Sequence, residues 1–464
     1  MEPMRILSPT AILGYGFPDA SLEEGMRRKP DLIAVDAGSS DPGPYYLGAG
    51  VSFTDRGGVK RDLERLLPGA IAAGIPLCIG SAGGSGGEPH LAWLLDIVRE
   101  IAREHALRFR MAAIHAEIGP DAVRAADAAG RLHPLPPAPE SSPAEIAATV
   151  RVVGQMGIEP FQRAIDAGAQ VIVAGRAYDP AVFAAHAVRR GYDRGLALHL
   201  GKILECAAIA ATPGSGSDCM LGTLDATGFT VETLSPARRC TELSVAAHTL
   251  YEKSDPTKLP GPGGTLDLTR TTFRQVADNA VRVEGSRFVP GPYRIKLEGV
   301  RSVGFRTVSI AGVRDPVLVG CIEETLAAVR ERTFANLGAL RQPSTLDFLV
   351  YGRDGVMGPL EPDDLRAGPL PREIGLVVDA VAPTQAEANT LCATARSTLL
   401  HYGYPGRIST AGNLAFPYSP SDFKAGEVFA FSLYHLIDVD DPCALFPMEL
   451  EEVFGDAEIE EVAP

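Results

Sequence analysis

Polar residues gather in this chain where short apolar runs give out. The first such place is Asp36-Ala37-Gly38-Ser39-Ser40-Asp41-Pro42-Gly43-Pro44-Tyr45-Tyr46. Asp36 and Asp41 have the chemistry of a general base, a hydrogen-bond acceptor or a cation ligand, and Tyr45 that of a donor to a carbonyl oxygen. The plainer reading is a tight turn, which uses the same Asp, Gly, Ser and Pro residues. The second place is Gly80-Ser81-Ala82-Gly83-Gly84-Ser85-Gly86-Gly87-Glu88-Pro89-His90, with five glycines in the eight positions 80–87. Gly83, Gly84, Gly86 and Gly87 let backbone N–H groups approach an anion at a helix start, with His90 one turn in. A structural turn against another backbone and a mobile lid are the competing readings. Neither the Walker Gly-Lys-Ser/Thr ending nor a GxGxxG fingerprint is present.

A third place, Ile114-His115-Ala116-Glu117, puts His115 and Glu117 on one face of a strand end, where they can share a proton or a metal. Hydrogen-bonded structural roles are the alternative. The fourth is Gly175-Arg176-Ala177-Tyr178-Asp179-Pro180. Arg176 has the fork geometry to clamp a carboxylate or phosphate, whereas Asp179 before Pro180 reads as a helix N-cap. Further on, His199, Lys202 and Cys206 share a helix face at i, i+3 and i+7. A half-buried Lys202 is expected to have a lowered pKa and to serve as base or charge stabiliser; a partner-facing stripe is the other reading. Arg238-Arg239 reads as surface ion pairs. No HExxH motif occurs, which argues against zinc hydrolases.

These residues need strands to present them. Residues 1–175 alternate strand-like runs (Arg5–Leu7, Leu32–Val35, Pro76–Ile79, Arg110–Ile114, Val171–Ala174) with helical ones. The predicted fold class is α/β, a mostly parallel sheet with helices on both faces, with a closed barrel as second choice. Residues 176–265 read as mainly helical. After Leu259-Pro260-Gly261-Pro262-Gly263-Gly264 the pattern turns to alternating strands, then helix (321–336), strands (346–351, 374–381), helix (384–401) and strand (428–436). This order predicts an α+β sandwich, of ferredoxin-like type. The expected domains are 1–265 and 266–445, with a solvated acidic tail over 446–464 that frays.

The 464 residues suffice for two or three cores. A net charge of −15 argues against nucleic acid as a partner. Seven dispersed cysteines without a CxxC pair fit reduced thiols. With no apolar leader and no apolar run of membrane length, a cytoplasmic, membrane-free protein is expected.

The motifs Gly14-Tyr15-Gly16-Phe17-Pro18, Asp36–Tyr46, Gly80–His90, Val153-Gly154-Gln155-Met156-Gly157, Gly175-Arg176, Lys202–Cys206 and Leu243–Tyr251 together resemble the acyclic terpene utilization family, over about residues 1–440. The resemblance implies catabolism of terpenoids, branched acids and related CoA thioesters. Longer members carry a further small domain with an Arg-Ser-Gly-Asp-Lys-Gly motif, which has no counterpart after Leu436. The resemblance therefore implies a separate small subunit, which can complete the site, and a homo-oligomer is expected beside it.

The residues then point to a lyase of the hydratase/dehydratase kind, acting on a small carboxylated acid or acyl-CoA thioester. Asp36, His115, Glu117 and Lys202 are the candidate catalytic groups. Asp41, Tyr45, Gly83, Gly84, Gly86, Gly87, His90, Arg176 and His199 are the candidate binding groups. CoA enters only as part of the substrate, and a divalent metal remains compatible with the carboxylates. A non-catalytic acyl-CoA-binding scaffold and a nucleotide-using transferase or ligase are the alternatives.

Overall fold

The computed structural model describes residues 2–251, 254–340, 343–366, 368–408 and 410–455. They form two compact units: residues up to Arg301 with those from Phe431 onward, and Ser302–Ala430.

In the first unit, five parallel strands lie side by side in the order Met4–Ser8, Leu32–Asp36, Leu77–Gly80, Val171–Ala174, Arg108–Ile114. Runs such as Leu-Ile-Ala-Val and Val-Ile-Val-Ala suit this position, because both faces are covered. Helices Arg56–Ala73 and Glu88–Glu104 pack with Ile33, Val35, Ile79 and Val173 on one face. Helices Ile158–Asp166, Asp179–Arg189 and Arg194–Leu204 pack with Leu32, Ala34, Cys78 and Ile172 on the other.

The sheet is mixed rather than mostly parallel. Antiparallel strands Met220–Leu224, Gly228–Thr233, Ala280–Glu284 and Thr272–Ala277 extend it beyond Met4–Ser8. Two of these lie in the segment expected to be helical. At the other edge, Met448–Phe454 pairs with Arg108–Ile114, so the first part of the expected frayed tail is a strand. Its acidic residues have partners there: Glu451 accepts from Arg99 at 2.6 Å and Glu452 from Arg110 at 2.5 Å. The tail beyond 455 lies outside the described residues. A strand Arg151–Gly154, not foreseen, pairs with Leu297–Val300 of the long strand Arg294–Val313.

The second unit has strands in the order Thr345–Tyr351, Ile374–Ala382, the latter part of Arg294–Val313, and then the first part of Asp422–Asp438. Helices Ile322–Asn336 and Gln385–Leu400 share one core with them through Val329, Leu391, Leu376 and Val378. Strand, helix, two strands, helix and strand in this order make a ferredoxin-like α+β arrangement.

Candidate functional site

Neighbouring strands Leu77–Gly80 and Val171–Ala174 send their chains to helices on opposite faces of the sheet. Such a switch in strand order opens a crevice beyond the carboxyl ends, the usual ligand position in open α/β sheets. Here the Gly-rich loop closes on it. Gly83, Gly84 and Gly86 have φ of +59°, +92° and +67°. A Cβ on Gly86 would lie 2.1 Å from the Arg176 nitrogen, so only glycine lets these two backbones meet. The N–H groups of Ser81 and Ala82 bond to Gly175 and Ala174, and those of Gly84 and Gly86 to their own loop. Residues 81–87 are buried. The loop packs as a buried joint between strands, and Gly86 serves the close approach to Arg176.

Around this joint lies a buried charged cluster. Arg176 donates to Glu298 and Asp179, both at 2.9 Å, and to the Ser81 hydroxyl at 3.0 Å. Burial opposes its charge, and Glu298 and Asp179 outweigh burial and keep it protonated. Asp179 is the first residue of its helix and turns back to Arg176 instead of capping. Glu298 also accepts from Lys296 at 2.8 Å. Burial by itself would raise the Glu298 pKa; the Arg176 and Lys296 charges override it and hold it at about 2. Lys202 donates to Glu205 at 2.7 Å and lies 4.4 Å above the Tyr251 ring. Burial disfavours this ammonium, but Glu205 more than compensates, so its pKa rises rather than falls as expected.

Asp36 stands at the end of Leu32–Asp36, only 7% exposed. Its Oδ1 is enclosed and accepts no hydrogen bond. Burial, then the neighbouring Asp179 charge, push its pKa well above the ordinary carboxylate range; Arg176 opposes this and Glu205 adds to it. Burial and Asp179 thus favour the protonated form of this carboxyl, whereas Arg176 and the Ser81 hydroxyl favour the ionised one.

His115 and Glu117 belong to a different cluster. The His115 Nδ1 lies 2.9 and 3.0 Å from the two oxygens of Glu88. Glu117 accepts from the Glu88 N–H at 2.8 Å and from Arg151 at 3.0 Å. The two side chains thus share Glu88 rather than a proton, and Glu117 acts as a cap on helix Glu88–Glu104. Asp36 and His115 end strands three places apart, roughly 14 Å at the normal spacing.

The remaining candidates have structural partners. The His90 Nε2 lies 3.0 Å from the carbonyls of Tyr46 and Val51, and burial lowers its pKa. His199 sits among Phe229 and Phe273, with Ser286 and Thr249 hydroxyls on its ring nitrogens; burial takes its pKa down to about 3. Asp41 and Tyr45 are exposed, Tyr45 edge-on to Tyr46 at 5.5 Å. Arg238 pairs with Asp218 at 3.0 Å. Among the described residues, a metal-like grouping occurs at Glu64, Glu104 and His105, where Lys60 already bonds Glu104 at 2.7 Å.

Sequence reasoning missed Glu298, Ser81 and Glu88. The Lys296-x-Glu298 pair on one strand face was the available signal for the first, and Ser81 and Glu88 stood inside the Gly-rich motif.

Fold and cluster together define an α/β protein with a polar site at a strand-order switch. The chain belongs to the acyclic terpene utilisation family: residues 58–419 match the family described as acyclic terpene utilisation family protein AtuA. Membership implies a role in terpene utilisation. No curated protein and no solved structure matches the chain. No helix among the described residues is long and apolar enough to cross a membrane.

Proposed function

We propose that this chain is a catabolic lyase of the hydratase/dehydratase kind, acting on a small carboxylated acid or acyl thioester, with a separate small subunit beside it. The observation that carries the reading is Asp36, a buried carboxyl at a strand end whose Oδ1 lacks a hydrogen-bond partner and whose pKa burial pushes upward. Adding or removing water beside a carbonyl needs a proton donor and a stabiliser of the developing enolate. Asp36 gives its proton to the carbon beside the carbonyl as water adds to the next carbon, and the proton that the water sheds returns to the Asp36 carboxylate; in reverse, that carboxylate takes the C–H proton. Arg176, Ser81 and Lys202 lie in the same cluster and supply the positive field and hydroxyl dipole. His115 with Glu88 stands outside this group and orients the Gly-rich helix start.

Deuterium incorporation into a panel of short branched acids and their thioesters, followed by mass spectrometry, tests the assignment. Wild-type protein with its small subunit is expected to exchange protons next to the carbonyl. Asp36→Asn is expected to lose that exchange by at least about a hundredfold, the usual weight of one general acid. Exchange that survives Asp36→Asn would contradict the reading.

A further inference from the structure

In the first unit, strands Lys258–Gly261, Gly264–Asp267 and Arg287–Pro290 form a small separate sheet. Two chain crossings, at residues 268–271 and 285–286, join it to the large sheet. Gly285 has a φ of +90°, and a Cβ there would lie 2.2 Å from the Arg270 carbonyl oxygen, so only glycine lets the crossings meet. Beside their contact lies a cavity of about 230 Å³, lined by Asp267, Thr269, Arg270, Gly285 and Arg287. One water takes up roughly 30 Å³ in the liquid, so this space admits more than a single solvent molecule.

Arg287 stands directly across from Asp267 in its strand pair, a place where opposite charges normally meet. Asp267 is committed elsewhere. It holds Lys258, on the strand to its other side, at 2.5 Å, and accepts from the Thr269 hydroxyl at 2.6 Å and the Thr269 N–H at 3.0 Å. Among the described residues, neither Arg287 nor Arg270 has an ion pair or a side-chain hydrogen bond. The N–H groups of Arg270 and Gly285 likewise donate to no described residue. In a chain of net charge −15, two unanswered guanidiniums thus border one cavity.

We propose that this cavity binds the dianion of a phosphate group, either free or as a phosphomonoester. Asp267 and Lys258 cancel as a pair, so the lining presents two positive charges, which a dianion matches. Guanidiniums bond oxyanions through paired N–H groups. Donors arriving from two separate crossings suit a tetrahedral anion better than a flat carboxylate.

Isothermal titration calorimetry of the full chain at constant ionic strength tests this with inorganic phosphate, glycerol phosphate and malonate. The wild type is expected to bind a phosphate saturably at one site per chain, and whichever of the two phosphates binds more tightly tells the free ion from the monoester. Malonate, a dianion with flat ends, is expected to bind at least about tenfold more weakly. Arg270→Gln and Arg287→Gln are each expected to weaken phosphate binding at least about tenfold. With no ion pair to lose, they leave the ligand-free Tm unchanged. Arg274→Gln, which removes an exposed arginine outside the cavity, is expected to bind as the wild type does. The proposal would be overturned by no saturable binding, by binding undiminished in both cavity variants, by malonate binding as tightly as phosphate, or by an equal loss in Arg274→Gln.

Discussion

Arg176 and His115 follow adjacent parallel strands, paired through Ile114 and Ala174, yet they live in different physical worlds. The Gly-rich loop runs between them. On its Gly86 side, Arg176 is nearly sealed from solvent and every charge is matched within the protein. On its Gly87 side, His115, Glu88, Glu117 and Arg151 form ion pairs that remain partly open to water. The lesson is one of dielectric. The same residue types are costly to disturb in the first place and cheap to disturb in the second.

The sharpest way to break this contrast is Glu298→Ala. It strands Arg176 and Lys296 without their shared carboxylate, and denaturant unfolding should show a loss of about 3–5 kcal/mol. Gly86→Ala comes next. The new Cβ collides with Arg176 backbone at a positive φ, which should cost about 1–3 kcal/mol. A loss well under that would mean the loop stands away from the strand.

Acid titration probes the same side. The folded pKa of Glu298, about 2, lies below its ordinary 4.5. Its stabilisation is therefore fully present above 4.5 and drains away as pH falls from there through 2. Asp36 has the opposite sign. Its folded pKa is raised above 3.8, so it opposes folding increasingly as pH rises beyond that value. Asp36→Asn should accordingly raise Tm at neutral pH, measured by calorimetry, while it removes activity. The smallest effect belongs to the open side. Glu88→Gln should change stability by less than about 1 kcal/mol, because that carboxylate is 46% exposed. A loss matching that of Glu298→Ala would erase the contrast.

Much of this was legible beforehand because it depends on local pattern. Val171–Ala174 and Leu32–Asp36 are apolar runs that end in Gly-Arg and Asp, and strand ends are where such residues meet. The helix–strand order of the second unit was equally plain, from Ile322–Asn336 through Ile374–Ala382. What escaped depends on pairing across long separations. Glu298 reaches Arg176 over 122 residues through the strand pairing of Leu297–Val300 with Arg151–Gly154, and no local spacing announces that. His199 and Lys202 share a helix face, as their spacing requires. Their surroundings differ, because Phe229 and Phe273 come to one and Glu205 to the other. The acidic strand Met448–Phe454 looked like a solvated end because Arg99 and Arg110, its partners, lie more than three hundred residues away.

The protonation state of Asp36 decides the account. Difference infrared spectroscopy of wild type against Asp36→Asn at neutral pH isolates that one carboxyl group. A carboxylic acid C=O band in the difference spectrum, unchanged as pH is raised through neutrality, is the predicted result. A carboxylate signature in its place would show Asp36 ionised, and the switch-point cluster would then hold no proton to give.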